Sequence, residues 1–114
     1  FFFDEGTFQV RIPERMYSAL DRYANRKVSF GIRPEDILDV TGISDPDPGR
    51  TVKARIEVVE PMGSEIYLYL ATKLNTFIAR VQLKREPAVN EEHIMELDMD
   101  KCHFFDIDTE TTIV

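Results

Sequence analysis

Apolar and polar residues alternate in short runs along most of this chain. In the clearest run, "TVKARIEVVE", the side chains of Val52, Ala54, Ile56 and Val58 are predicted to share one face of a strand. A period of two is typical of a strand that has one face in a hydrophobic core and the other in water. Turn signals recur roughly every ten residues, a spacing typical of a small antiparallel barrel or sandwich.

About eight or nine short strands are predicted on this basis. They lie in "FFFDEGTFQVRI" (two strands joined at residues 4–7), "VSFGI", "TVKARIEVVE", "IYLYLATKLNTFIARVQL" (two strands hinged at residues 73–75), "HIMELDMD" (with Ile94 as its apolar residue), "CHFFD" and "TTIV". Only "ERMYSALDRYANRK" has helical spacing, with Met16, Leu20 and Tyr23 on one face and Asn25 as an end signal. The predicted fold class is all-β with one helix: an OB-like, five-stranded Greek-key barrel with extra strands. The three N-terminal phenylalanines are predicted to lie in its core.

Length and charge limit the possible functions. The 114 residues are expected to form a single domain, and the chain starts at Phe1 without Met, so we expect a piece cut from a longer protein. The 21 acidic residues outnumber the 14 basic ones, giving a net charge of −7, which argues against nucleic acid or anionic lipid as the main partner. The single Cys102 excludes an internal disulfide and fits a reducing, cytoplasmic setting.

Motifs for catalysis or cofactor binding are missing. The phosphate-binding pattern G-x-x-x-x-G-K-[ST] is absent, so this chain is not expected to hydrolyse ATP by itself. Adjacent residues on a strand point to opposite faces, so Cys102 and His103 are predicted to be a buried thiol and a surface histidine, not a nucleophile and its base. The chain has too few thiols and imidazoles for a zinc site, and its acidic loops lack the glycine and glutamate of a calcium loop. Sequence alone leaves open whether two carboxylates pair in space, and nothing specifically recommends that.

Three segments in a fixed order carry a resemblance to a known family. They are "FGIRPEDI", "VVEPMGSEIYLYL" and "FIARV" followed by "ELDMDKCHFFD". Together they resemble the C-terminal regulatory domain of the sugar-importing ABC transporter ATPases, the group that includes the maltose, multiple-sugar and glycerol-phosphate importers. The resemblance runs from about Val28 to Val114, interrupted by "DPDPGR", and residues 1–27 match loosely.

The resemblance implies a transport-associated OB-type domain behind a nucleotide-binding domain that would hold ATP and Mg²⁺, with no cofactor in this piece. It implies a homodimer in which two such domains hold the ATPase subunits together while the nucleotide-binding halves open and close. The expected partners are the chain's own nucleotide-binding domain, a second copy, the transmembrane permease subunits and a regulatory protein. The expected location is cytoplasmic, at the inner face of the cell membrane. A small-oxyanion or small-ligand-binding module remains as the alternative, although the net charge of −7 argues against binding an anion.

The first motif supplies five interface candidates: Gly31, Arg33, Pro34, Glu35 and Asp36. Gly31 is expected to permit a close backbone approach, and Pro34 to fix the turn. Arg33 with Glu35 or Asp36 is expected to make a charge-assisted contact with a neighbouring domain. A compatible structural interpretation is that "RPED" begins a short helix, where the two acids favour the N-terminus.

The other interface candidates come from the second and third motifs: Gly63, Ser64, Glu65, His103, Phe104 and Phe105. Gly63 is expected to adopt a backbone conformation that other residues avoid, which places Ser64 and Glu65 at an exposed strand start. A turn glycine followed by a solvated acid is the alternative. Strand alternation places one of Phe104 and Phe105 in the core, and the other is a candidate for packing across a dimer.

Overall fold

Nine strands and one short α-helix make up the fold in the computed structural model, which describes residues 1–114. The strands are β1 (Phe2–Asp4), β2 (Gln9–Arg11), β3 (Ser29–Gly31), β4 (Ile37–Asp39), β5 (Thr51–Met62), β6 (Glu65–Ala71), β7 (Thr76–Val81), β8 (Glu92–Leu97) and β9 (His103–Phe105). Helix α1 (Tyr17–Leu20) lies between 3₁₀ turns at Glu14–Met16 and Asp21–Tyr23, and a third 3₁₀ turn spans Pro34–Asp36. None of the helices has the length and hydrophobicity that a membrane span requires.

The main sheet has five antiparallel strands in the order β4-β8-β5-β6-β7. Strands β5, β6 and β7 form a meander, and β8 returns to pair with β5, which is the strand order of a Greek key. The edge strands β4 and β7 contact each other, so the sheet curls into a partly closed barrel. Two small sheets, β1-β2 and β3-β9, complete the fold. The predicted fold class, an OB-like all-β barrel with one helix and extra strands, is confirmed.

The predicted helix is present but short. Met16 and Leu20 are buried as their spacing predicts, and Tyr23 is partly buried. Asn25 has a positive φ of 61°, which confirms it as the end signal. Only four residues are α-helical, and no side chain caps the N-terminus of α1 or of either flanking 3₁₀ turn, so the backbone groups there lack the usual capping partners.

Strand β5 changes faces at a β-bulge, which the alternation did not predict. The pairing of β5 with β6 slips between Ile56 and Val58, so Glu57 is an extra residue in β5. Val58 therefore points outward and is 49% exposed, whereas Val59 packs against the core. The prediction that Val58 shares the buried face of Ile56 is wrong for this reason.

Strand β8 also differs from its prediction. His93, Met95 and Leu97 face the core, whereas Ile94, which the strand prediction named as its apolar residue, lies on the opposite face. The buried histidine hides the period of two, because a titratable residue is rarely found in the core without a partner.

The two ends of the chain contribute less to the core than predicted. Phe3 packs against Phe30 and Phe104, with ring centroids 5.1 and 5.6 Å away, but Phe1 and Phe2 are 49% and 58% exposed. Near the C-terminus, "CHFFD" forms β9, whereas "TTIV" forms no strand and makes an isolated bridge to Phe105 and backbone hydrogen bonds to Phe104. In the three-residue strand β1, alternation lets Phe3 point inward and turns Phe2 outward.

A buried ion cluster surrounds His93. Its Nδ1 lies 2.5 Å from Asp39 Oδ2, and its Nε2 lies 3.0 Å from Glu91 Oε1. Both oxygens belong to carboxylates, which only accept when ionised, so the contacts favour the imidazolium form, in which both ring nitrogens donate. The hydroxyl of Thr41 donates to Asp39 at 2.6 Å, and Arg85 lies 3.9 Å from Glu91. The cluster ties β4 to β8 and to the loop before β8.

The pKa shift of each of the three groups favours its charged form. Burial alone would lower the pKa of His93, but its hydrogen bonds to Glu91 and Asp39 and their charges raise it overall. Burial would raise the pKa of Asp39, but the hydrogen bonds from Thr41 and His93 lower it overall. The hydrogen bond from His93 is the main cause that lowers the pKa of Glu91.

Replacing His93 with glutamine should lower the free energy of unfolding by about 2–4 kcal/mol near pH 6, because it leaves the buried Asp39 carboxylate without its counter-charge. The stabilisation by His93 is fully present below about pH 6.5 and is lost as the pH rises through its raised pKa. The stabilisation by the two carboxylates is present above about pH 4 and is lost as the pH falls through their lowered pKa values. Urea unfolding at a series of pH values measures both effects.

The exposed His103 provides the matched control, since His103→Gln removes the only other imidazole without touching the cluster. Its urea midpoint should stay near that of the wild-type chain at every pH. Equal midpoints for His93→Gln and wild type across the pH series would contradict the ion cluster.

The thiol of Cys102 is 1% exposed, and its Sγ donates to the Met99 carbonyl at 3.2 Å. Burial raises the pKa of Cys102 to about 11. A thiol reagent such as Ellman's reagent should therefore react with the folded chain at least about 100-fold more slowly at neutral pH than with the urea-unfolded chain. Equal rates in the two states would show that Cys102 is accessible in the folded chain.

Candidate functional site

The segment "GIRPEDI" forms a tight corner between β3 and β4. Arg33 is extended, with φ −79° and ψ 148°, and Pro34 follows as the first residue of the 3₁₀ turn Pro34–Asp36. The fixed φ of proline suits this position, and a residue before proline avoids the helical region. Strand β4 begins at Ile37, whose side chain is fully buried. The prediction that "RPED" begins a short helix is confirmed, and that helix is a single turn.

The charged residues of the corner divide into two kinds. The Asp36 side chain lies 3.8 Å from Lys101 Nζ and is 11% exposed, and its carbonyl accepts a hydrogen bond from the Asp98 N–H at 3.0 Å. Asp36 therefore fastens the corner to another part of the same chain. Arg33 and Glu35 are exposed. They are the two charges of the corner that can reach a neighbouring molecule.

Gly31 and the end of β9 pack closely together. A Cβ at Gly31 would lie 2.7 Å from Cε2 of Phe105, so only glycine lets this ring lie against the backbone. The expected close approach at Gly31 thus occurs, with an aromatic ring as the neighbour. Phe104 is fully buried, with its ring 5.4 Å from that of Phe30, and it is the core aromatic of the pair. His103 is exposed and Phe105 is half-buried, so these two can still contact another protein.

The turn between β5 and β6 has the predicted conformation. Gly63 has φ +66°, in the left-handed region that favours glycine, and both Gly63 and Ser64 are exposed. Glu65 begins β6, and its Oε2 lies 3.3 Å from Nε of Arg80 on β7. Arg80 Nε has no hydrogen-bond partner, so the contact with Glu65 is a charge pair. Glu65 is therefore a partly exposed acid paired within the chain.

Arg80 connects the corner to this turn. The Tyr67 hydroxyl and the charges of Glu65 and Glu35 raise the pKa of Arg80. Glu35 reaches this region because the 3₁₀ turn Pro34–Asp36 packs against β7. The structure thus brings candidates from the first two motifs to one side of the barrel. His103 lies on the separate β3-β9 sheet.

Two rows of cross-strand neighbours lie on the outer face of β5, β6 and β7. One row is Val58, Tyr69 and Ile78, and the other is Glu60, Tyr67 and Arg80. The first row exposes apolar surface, since Val58 and Ile78 are 49% and 38% exposed. Sequence reasoning missed this surface because it placed Val58 in the core. The consecutive valines at 58 and 59 break the period of two, and they were the signal that could have revealed it.

An apolar groove of about 980 Å³ lies between the β1-β2 hairpin, residues 23–32 and the barrel. Phe3, Phe8, Phe30 and Phe77 are among its 24 lining residues, of which 16 are hydrophobic. A small oxyanion needs several N–H or O–H donors directed at it. The groove also has polar lining residues, among them Arg26, Lys27 and Asn75, so it leaves the oxyanion-binding alternative open.

Cys102 and His103 do not come together in the fold. Cys102 is buried and His103 is exposed on the opposite face, as their adjacency predicts. No group of three or more His, Cys, Asp and Glu side chains is arranged to hold a metal ion.

Comparison with known proteins gives a family and its relatives. The model of the TOBE domain matches residues 30–105. The chain is 36% identical over 110 residues to the "Oligosaccharides import ATP-binding protein MsmX" of Bacillus subtilis, which is 95% of this chain and 30% of that protein. It is 37% identical over 91 residues to the "Multiple sugar-binding transport ATP-binding protein MsmK" of Streptococcus mutans, covering 80% of this chain and 24% of that protein.

A third relative is the "Trehalose/maltose import ATP-binding protein MalK" of Thermococcus litoralis, 33% identical over 108 residues, which is 92% of this chain and 29% of that protein. The chain thus spans less than a third of the length of each of these relatives. The matched residues contain the corner, the β5-β6 turn and β9. The chain is therefore a member of the TOBE domain family, and its relatives are sugar-import ATP-binding proteins.

Proposed function

We propose that the chain is the non-catalytic regulatory and dimerisation domain of the ATP-binding subunit of an ABC sugar importer. The observation that carries this proposal is the match of almost the whole chain to part of a sugar-import ATP-binding protein, 95% of the chain in the case of MsmX. The part matched is the TOBE domain, and the chain contains no phosphate-binding loop. Binding and hydrolysis of ATP, with Mg²⁺, would belong to a nucleotide-binding domain in the same subunit.

The surface of the barrel supports a role in protein contacts. The exposed charges Arg33 and Glu35, together with the Glu65–Arg80 pair, lie where the corner and β7 meet. Charges of both signs on one surface suit electrostatic pairing with another protein, which fixes orientation more than it adds affinity. Of the aromatic candidates, only Phe105 has ring surface left for such a contact.

The proposed mechanism is mechanical. Two such domains in contact hold two ATPase subunits together, which raises the effective concentration of one nucleotide-binding domain near the other. ATP could then close the two nucleotide-binding domains, and its hydrolysis could open them, without separation of the subunits. In this proposal the subunit sits at the inner face of the cell membrane through contact with the permease subunits, and a regulatory protein can act on the domain.

Replacing Arg33 and Glu65 together with alanine should weaken self-association of the chain while leaving the fold intact. We expect the dimer dissociation constant to rise about two- to tenfold, because partly exposed charge pairs each contribute roughly 0.2–1 kcal/mol. Sedimentation equilibrium of wild type and variant measures this change.

The control is the double variant Lys53→Ala with Glu92→Ala, which removes an exposed ion pair at 3.8 Å between β5 and β8. It should leave both the dimer constant and the urea midpoint unchanged. An unchanged dimer constant for the Arg33 and Glu65 variant would remove these two residues from the interface. A wild-type chain that stays monomeric at millimolar concentration, the range that linked domains experience, would contradict dimerisation through this domain.

A further inference from the structure

The outer face of β5, β6 and β7 has its side chains aligned in register across the three strands. Glu60, Tyr67 and Arg80 are direct cross-strand partners. An acid therefore lies on one side of a tyrosine and a base on the other, all in one row across the sheet. Because the row has an acid at one end and a base at the other, an identical row turned end for end places a base opposite each acid.

The neighbouring row has the same form in apolar residues. Val58, Tyr69 and Ile78 are cross-strand partners, with a β-branched residue at each end and a tyrosine in the centre. Val58 points outward only because of the bulge at Glu57. Met62, also on the outward face of β5, is 54% exposed. The row offers apolar contact area beside the charged row, the combination found at protein interfaces.

The charges select one way of pairing two copies face to face. A two-fold axis that runs along β6, between the two sheets, places β5 of one copy over β7 of the other. Glu60 then faces the partner's Arg80, Val58 faces the partner's Ile78, and the tyrosines meet at the axis. A two-fold axis at right angles to the strands instead places β5 over β5, where Glu60 has no base opposite it. Only the axis along β6 pairs the charges.

Contacts within the chain hold the two charged side chains in place. The Tyr69 hydroxyl donates to Glu60 Oε1 at 3.2 Å, across to the neighbouring row. Glu65 Oε2 lies 3.3 Å from Nε of Arg80, and the guanidinium has five N–H groups in all, so it can also donate to a carboxylate of a partner. Both charges are thus oriented before a partner arrives, which reduces the entropy lost on binding.

We propose that this outer face, made of the two rows, is the surface through which two copies of the chain pair, with the two-fold axis along β6. The inference rests on the proposed dimerisation and names the surface that performs it. Stable interfaces bury about 1,200–2,000 Å² in total, and six side chains supply only part of that area. The isolated chain should therefore associate weakly, and the link to a larger subunit would strengthen the contact.

Charge reversal tests the surface directly. Glu60→Arg alone and Arg80→Glu alone should each raise the homodimer dissociation constant at least about tenfold, because each places like charges opposite one another twice in the dimer. A 1:1 mixture of the two variants should form a mixed dimer, since every acid then faces a base again. Sedimentation velocity of each variant and of the mixture, at matched total concentration, measures this recovery.

Lys53→Glu is the matched control, because Lys53 is an exposed base on β5 that lies outside the two rows and pairs with Glu92. It should leave the dimer constant within about twofold of wild type. Recovery in the mixture also shows that both variants are folded, since a misfolded chain could not form the mixed dimer.

The possible results separate this surface from the proposed function. A wild-type chain that dimerises while Glu60→Arg and Arg80→Glu have no effect would leave dimerisation intact and overturn the surface. Weakening by both variants without recovery in the mixture would overturn the pairing along β6. A wild-type chain that is monomeric at millimolar concentration would overturn both proposals together.

Discussion

The pairing register of β6 with β5 and β7 determines which side chains of these strands lie in the barrel core and which lie on its outer face. Leu68 and Leu70 are fully buried, and the tyrosines between and beside them point to the outer face. Because β6 is paired along both edges, a slip of β6 by one residue would disrupt its register with both neighbours and turn Leu68 and Leu70 towards water. The barrel core and the outer rows thus follow from a single pairing register.

Much of the fold could be predicted from local pattern because the strands are half-buried and the turns carry their own signals. The predicted hinge at residues 73–75 separates β6 from β7. The Greek-key barrel follows from strand count and turn spacing. The left-handed φ of Gly63 and the opposite faces of Cys102 and His103 followed equally from local chemistry.

The remaining features depend on neighbours that are distant in sequence. The bulge at Glu57 arises from pairing with β6, and the histidine at position 93 faces the core beside Asp39, which arrives from β4, 54 residues away. The same limit applies to the candidate site. Sequence pattern identified Glu35 and Glu65 as exposed acids but gave no reason to associate them with Arg80, since that grouping needs the turn at Pro34–Asp36 to pack on β7.

The pairing of β3 with β9 joins the middle of the chain to its end. Phe30 is the direct cross-strand partner of Phe104, about seventy residues away, and the backbone of Phe104 is bonded in turn to Ile113 and Val114. Contacts of such high sequence separation slow folding, because a long loop must close before they form. The "FGIRPEDI" segment therefore lacks its neighbouring strand until β9 pairs with β3, and a variant without residues 103–114 would leave that segment uncovered.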